Sequence, residues 1–280
     1  MTFWCRTIVL AALFVCPAVT VAAQEAPVSD YALIGQAIEA GRLMQARTML
    51  ANRIIAERGS EKDSTELDIL SAQLALAERR DMQALAAFSD LDQRGITDCR
   101  VQAGLGLSLM RQQRAGEALI HLRAATKACP KEWRTWNALG VALDLARDWR
   151  GSAEAYVAAF RLTDNRATIM NNYGFSLLLQ RRFAEAGRLF AAAARAEPGN
   201  QRYVNNADIA RAMAGEPLAR AGRDDPDRQA WARRLNNAGY ASLLAGRTDE
   251  AKAYFSRSLH SSDDYFERAS ANLSAMAGGQ

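Results

Sequence analysis

Histidine is nearly missing from this chain: 280 residues hold only two, His121 and His260, and no cysteine–histidine cluster has metal-ligand spacing. HExxH, GxSxG, a Walker loop and a glycine-rich dinucleotide loop are missing as well. The adjacent acids Asp224–Asp225 and Asp263–Asp264 fall in turns, where helix capping accounts for them better than an acid–base couple. These absences argue against an enzyme, a resident metal or a cofactor. There is also no block of Lys/Arg and no RNA-binding aromatic motif. Lys+Arg 35 against Asp+Glu 31 leaves a net charge of +4, but the signs are mixed along the chain, so nucleic acid is not an expected partner. Runs of β-branched residues are few. Alanine dominates a hydrophobic content of 49%, so helix is the expected element.

Long apolar runs are lacking too, except at the start. Residues 1–23 hold Arg6, the apolar run Ile8 to Val15, and Val21-Ala22-Ala23, the layout of a secretory signal peptide cut after Ala23. The apolar stretch, about 15 residues with Pro17 inside it, is short for a membrane span. The expectation is a periplasmic protein with no stable span after cleavage. Two alternatives stay open: an uncleaved anchor, and lipidation at Cys16, where Val15 stands in the place of the small residue a lipid signal wants. Removal of the leader takes Cys5 and Cys16 and leaves Cys99 and Cys129, an even count that suggests a disulfide in an exported chain.

What the chain has in abundance is repetition. Gly106, Gly140 and Gly174 recur every 34 residues. With units starting at 99, 133 and 167, position 20 is Ala118, Ser152 and Ala186. Position 24 is Leu122, Tyr156 and Phe190; position 27 is Ala125, Ala159 and Ala193; position 32 is Pro130, Asp164 and Pro198. A unit at 65 carries Ala72, Ala84, Phe88 and Leu91, and a weaker one near 27 carries Gly41, Leu43, Ala46 and Leu50. A unit at 232 carries Gly239, Gly246, Ala251, Phe255 and Ser258.

The period and these positions resemble the tetratricopeptide repeat (TPR) family over nearly the whole mature chain. The resemblance implies an all-α solenoid: about five to six helical hairpins, helix A then helix B, stacked into a right-handed superhelix. Small residues at positions 8 and 20 would let the two helices of a hairpin approach. Large ones at 4, 7, 11 and 24, such as Trp136, Leu139, Leu143 and Tyr156, would fill the space between units. Pro at position 32 would stop helix B. The unit at 201 departs from the pattern. Its position 8 is Asp208 and its position 11 is Arg211, and Gly215-Glu216-Pro217 follows. Residues 215–225 read as a loop, or one short turn, in place of helix B; with no full helix B packed on it, position 8 need not be small. The expected organisation is therefore a leader at 1–23, a main array at 24–214, an irregular loop at 215–225, and a C-terminal hairpin with a capping helix at 226–280.

The repeat register gathers an otherwise odd feature, Asn-Asn pairs in helical settings. Asn171–Asn172, Asn205–Asn206 and Asn236–Asn237 all occupy positions 5 and 6, and Asn137 is position 5 of the preceding unit. Position 2 adds Arg100, Arg134, Arg202 and Arg233, and position 9 adds Phe175 and Tyr240. These positions face away from the packing side of helix A and toward the concave groove of such a superhelix. An amide can pair with a peptide backbone without reading its sequence, and arginine offers forked donors to carboxylates. The row is similar to the asparagine ladder of some TPR superhelices. Asparagines that serve only to join neighbouring repeats remain the alternative, as does a merely solvated arginine face. Cys99 and Cys129 are positions 1 and 31 of one unit, where the start of helix A and the end of helix B meet; a disulfide and two packed thiols are both compatible with that placement.

The export signal, the short array, and stretches such as Leu235 to Arg247 resemble the TPR proteins of the Tad (tight adherence, Flp) pilus-assembly systems, the TadD-like group. That resemblance implies a periplasmic scaffold whose partners are proteins or peptides, secretin or pilus-assembly components among them. A generic envelope adaptor and a chaperone-like carrier of an exported polypeptide are the alternatives.

Overall fold

The computed structural model describes residues 29–58, 65–218, 228–261 and 266–278. The leader at 1–23 with Cys5 and Cys16, the acid pairs Asp224–Asp225 and Asp263–Asp264, and the expected helix start near Pro226 lie outside these residues. The described residues form fourteen α-helices and no strand: α1 (Asp30–Glu39), α2 (Leu43–Glu57), α3 (Thr65–Ala77), α4 (Asp81–Gln93), α5 (Cys99–Arg111), α6 (Ala115–Ala128), α7 (Trp133–Leu145), α8 (Trp149–Arg161), α9 (Ala167–Leu179), α10 (Phe183–Ala196), α11 (Gln201–Ala214), α12 (Arg228–Leu244), α13 (Thr248–Leu259) and α14 (Phe266–Gly278). Each helix packs on its neighbour in sequence. The helices A of successive units also meet, α1 with α3, α3 with α5, α5 with α7 and α7 with α9, so they form one wall of a solenoid.

The hairpins close because position 8 is small. A Cβ on Gly140 would lie 2.8 Å from the Tyr156 ring, one on Gly174 2.8 Å from Phe190, and one on Gly239 2.7 Å from Phe255. The position-24 ring therefore stacks on the glycine of its own helix A and is not confined to the seam between units. Tyr156, Phe190 and Phe255 are fully buried, a burial of roughly 1.5 to 3 kcal/mol each. Tyr156 also donates its hydroxyl to buried Asp144 at 2.8 Å, and Ser176 of the next helix A donates to the same carboxylate at 2.6 Å. Burial and the Asp144 charge push the Tyr156 phenol far above its ordinary range.

Every helix A ends in the same turn. Position 15 is left-handed in all seven units: Gly41, Gly215 and Gly246 in three, but Arg79, Gln113, Arg147 and Arg181 in four, with φ between 60° and 65° in these last. In each turn the next N–H reaches back to helix A, as from Asp148 to the Leu143 carbonyl at 2.9 Å and from Arg182 to Leu177 at 2.9 Å. This is the Schellman closure, for which glycine is the low-cost residue; a side chain there costs about 1–2 kcal/mol. Helix B then starts at position 17, often with Arg at its N-cap paired with Glu three residues on, forked in Arg114–Glu117 and Arg182–Glu185 and through Nε alone in Arg247–Glu250.

Cys99 and Cys129 are joined by a disulfide with a Cα–Cα distance of 6.0 Å, tying the start of α5 to the end of α6. In the unit at 201, helix A, α11, closes its turn normally at Gly215, and Asp208 is buried, 1% exposed. Arg234 of α12 donates to both its carboxylate oxygens, the longer contact being 3.2 Å, and Arg234 in turn lies 5.0 Å over the Trp231 ring. A helix of the following unit, α12, therefore covers α11 at Asp208. Leu218 is buried with it, against Ala212, Leu235, Ala238, Ala241 and Tyr254. Arg247 completes the junction by donating to the Met213 carbonyl at 3.1 Å.

Candidate functional site: an interrupted row of amides

The concave wall repeats a stripe at positions 2, 5, 9 and 13 of helix A, neighbours on one helical face. In α7 it is Arg134, Asn137, Val141 and Leu145; in α9, Thr168, Asn171, Phe175 and Leu179; in α12, Arg233, Asn236, Tyr240 and Leu244. Phe175, Tyr240 and the three leucines are exposed although large and apolar, and Phe175 sits edge-on to buried Phe190 at 5.1 Å. The groove thus sets an amide row beside an apolar row. The position-13 leucines were not singled out in the sequence, although Leu145 and Leu179 stand in register 34 residues apart and Leu244 holds the same place in the last unit.

The amides bond to one another across units. Asn206 Nδ2 donates to Asn171 Oδ1 at 2.8 Å, Asn171 Nδ2 to Asn172 Oδ1 at 3.3 Å, and Asn172 Nδ2 to Asn137 Oδ1 at 3.1 Å. This is one chain of four amides through α11, α9 and α7. The rule is a position-6 donor to the position-5 acceptor of the previous unit. The same rule holds further on, where Asn272 of α14 donates to Asn236 at 3.0 Å. Asn272 escaped notice in the sequence because it stands alone in the terminal helix. Each amide has two N–H groups and two acceptor positions, so those in the chain keep valences that face the groove.

The rule fails at one place. Asn237 and Asn205 hold the corresponding positions across the α11–α12 junction, where the unit spacing falls to 31 residues. Among the described residues, no hydrogen bond joins them. A cavity of about 420 Å³ opens there instead, lined by Gln201, Asn205, Ala230, Arg233, Asn236, Asn237 and Arg268. Among the described residues its walls supply amides and guanidinium groups.

The arginines do not form one row. Arg134 reaches Glu39 of α1 at 3.0 Å, joining the first helix to the seventh, and lies 4.8 Å over the Trp133 ring. Arg100 is taken up by Glu66 and Asp98, with contacts of 2.7 and 2.6 Å; these carboxylates, Glu66 foremost, hold its guanidinium charged well beyond the ordinary range. Arg202 is exposed at the start of α11, and Arg233 lines the cavity. Among the described residues no group of three or more His, Cys, Asp or Glu could hold a metal ion, and no helix is long and apolar enough to cross a membrane. His121 bonds Gln102 at 2.8 Å and His260 the Ser256 carbonyl at 2.6 Å.

No family model and no curated protein matches the chain in sequence. Solved structures match it in shape. The TPR protein TTC0263 of Thermus thermophilus is 20% identical, with 63% of this chain and 96% of that one covered and a TM-score of 0.52. A tetratricopeptide repeat protein from Parabacteroides merdae is 11% identical, covering 86% and 97% at 0.51. By fold the chain is a TPR solenoid. PilF of Pseudomonas aeruginosa is a further match, 16% identical, covering 74% and 97% at 0.52. At such identities the likeness concerns the fold alone.

Proposed function

We propose that this TPR solenoid is an exported, non-catalytic scaffold that holds an extended segment of a protein partner in its concave groove. The interrupted amide row carries this reading. Three position-5/position-6 pairs are closed by hydrogen bonds; the fourth, Asn205 with Asn237, is unbonded within itself and lines a polar cavity, where Asn205 Oδ1 accepts only a long contact of 3.5 Å from Gln201. A peptide backbone offers the donor and acceptor that would complete it, and the neighbouring rows give its side chains an apolar rail at Phe175, Tyr240 and Leu244. The signal-like leader and the Cys99–Cys129 bridge favour an oxidising, periplasmic setting. Within that setting the resemblance to the TadD-like group favours service to Tad/Flp pilus or secretion-machinery assembly.

In-cell crosslinking followed by pull-down tests the groove. Asn205→Ala with Asn237→Ala is expected to lose the wild-type partner at unchanged melting temperature, whereas Asn137→Ala with Asn172→Ala is expected to lose stability first. Full partner capture by the first variant would sink the groove reading. Fractionation tests export: recovery of the chain from the cytoplasm with residues 1–23 intact would overturn it. Normal pili and adherence in a deletion strain would remove the pilus assignment and leave the scaffold.

A further inference from the structure

Four successive hairpins place a side chain where the turn favours glycine. Three of these are arginines, Arg79, Arg147 and Arg181, and all three are exposed. Their guanidinium groups make no ion pair or hydrogen bond with another described residue. The arginines one place on behave differently: Arg80, Arg114, Arg182 and Arg247 are each held by a carboxylate, from Glu78, Glu117, Glu185 and Glu250. Asp148, beside Arg147, is turned into its own helix and caps the Gly151 N–H at 2.9 Å. In the turns after α3, α7 and α9 the unpaired positive charge therefore sits at position 15, in residues kept there against a conformational cost that glycine avoids in the other turns, whereas in the turn after α1 it sits one place on, at exposed Arg42.

In the two adjacent turns after α7 and α9, these arginines have the same company. Leu145 and Leu179 precede them by two residues and are 55% and 61% exposed. Trp149 and Phe183 follow by two residues and are half-buried. Leu-x-Arg-x-aromatic thus stands twice, side by side, on one edge of the solenoid. We infer that this turn edge is a contact surface for an anionic phospholipid bilayer. Guanidinium forks match phosphate oxygens, and leucine and aromatic side chains beside them suit the headgroup layer. A purely acidic protein would answer the arginines but give the exposed leucines no cover, so the lipid surface fits more of the edge.

Vesicle co-sedimentation of the full chain tests this, with phosphatidylcholine vesicles compared with phosphatidylcholine–phosphatidylglycerol vesicles at low and physiological salt. The key variant is Arg147→Gln with Arg181→Gln, since Gln113 already occupies the same turn with a φ of 63°. It is expected to melt like wild type and to bind the anionic vesicles about 10- to 30-fold more weakly at low salt. Leu145→Ser with Leu179→Ser is expected to weaken binding at both salts. Equal binding by wild type and the glutamine variant, through the apolar run at residues 8–15 or otherwise, overturns the inference. So does a wild type with no preference for anionic vesicles. Arginine-dependent binding to soluble polyglutamate that the leucine variant leaves unchanged would reassign the edge to an acidic protein and overturn it likewise.

Discussion

The Asp208–Arg234 pair is where removal of a single side chain should be felt most, with a cost that depends on pH. Asp208 is 1% exposed and its two oxygens face one guanidinium, which also lies against Trp231. Arg234→Ala leaves that carboxylate buried without its cation, a change that costs about 3–5 kcal/mol where the charge persists. Burial already raises the Asp208 pKa above the ordinary carboxylate value even with Arg234 in place, because desolvation outweighs the attraction. Without Arg234 it must rise further. A folded-state pKa above the unfolded one gives stability that is complete below the unfolded value and lost as pH rises through the folded value. The Arg234→Ala penalty is therefore expected to be largest near neutral pH and to shrink as pH falls below about 4, where Asp208 takes up a proton in both states. Asp208→Asn should cost less, about 1–3 kcal/mol, since the amide oxygen still accepts from Arg234 and the guanidinium left without its counter-charge is 14% exposed and lies against Trp231. Urea titrations followed by far-UV circular dichroism at several pH values measure all three, and hydrogen exchange should show the loss confined to α11–α13. A penalty for Arg234→Ala that is independent of pH, or smaller than that of Asp208→Asn, would refute the reasoning.

Other substitutions probe the remaining interactions. Gly140→Ala and Gly174→Ala each put a Cβ 2.8 Å from a fixed ring and should cost about 1–3 kcal/mol, while Gly116→Ala, with nothing within 4 Å, should be neutral or stabilising by up to about 1 kcal/mol; thermal melts separate the two cases. Reduction of Cys99–Cys129, which closes a loop at a sequence separation of 30, should lower stability by about 3.5 kcal/mol, and a Cys99→Ala/Cys129→Ala chain should then be insensitive to reductant. Arg147→Gly relieves a left-handed arginine but loosens the unfolded chain, for a net gain of roughly 0.5–1 kcal/mol in denaturant titration.

The amino-acid sequence determined the hairpins, their period and their packing positions. Each of these is set by contacts inside one unit or with the next: Gly140 under Tyr156, Gly174 under Phe190, the closed turn at position 15. Short-range contacts of this kind leave a periodic trace. It also aligned the Asn pairs on one face, because a face follows from register alone. Tertiary structure decided how those faces were used. Asn171, Asn172, Asn137 and Asn206 became a bonded chain because the superhelix brings position 6 of one unit to position 5 of the last, a distance no linear pattern states. Asp208 was buried by α12 of the following unit, since the packing face of α11 must be covered by whatever lies nearest. Arg134 met Glu39 across two intervening hairpins through curvature that accumulates over the whole array.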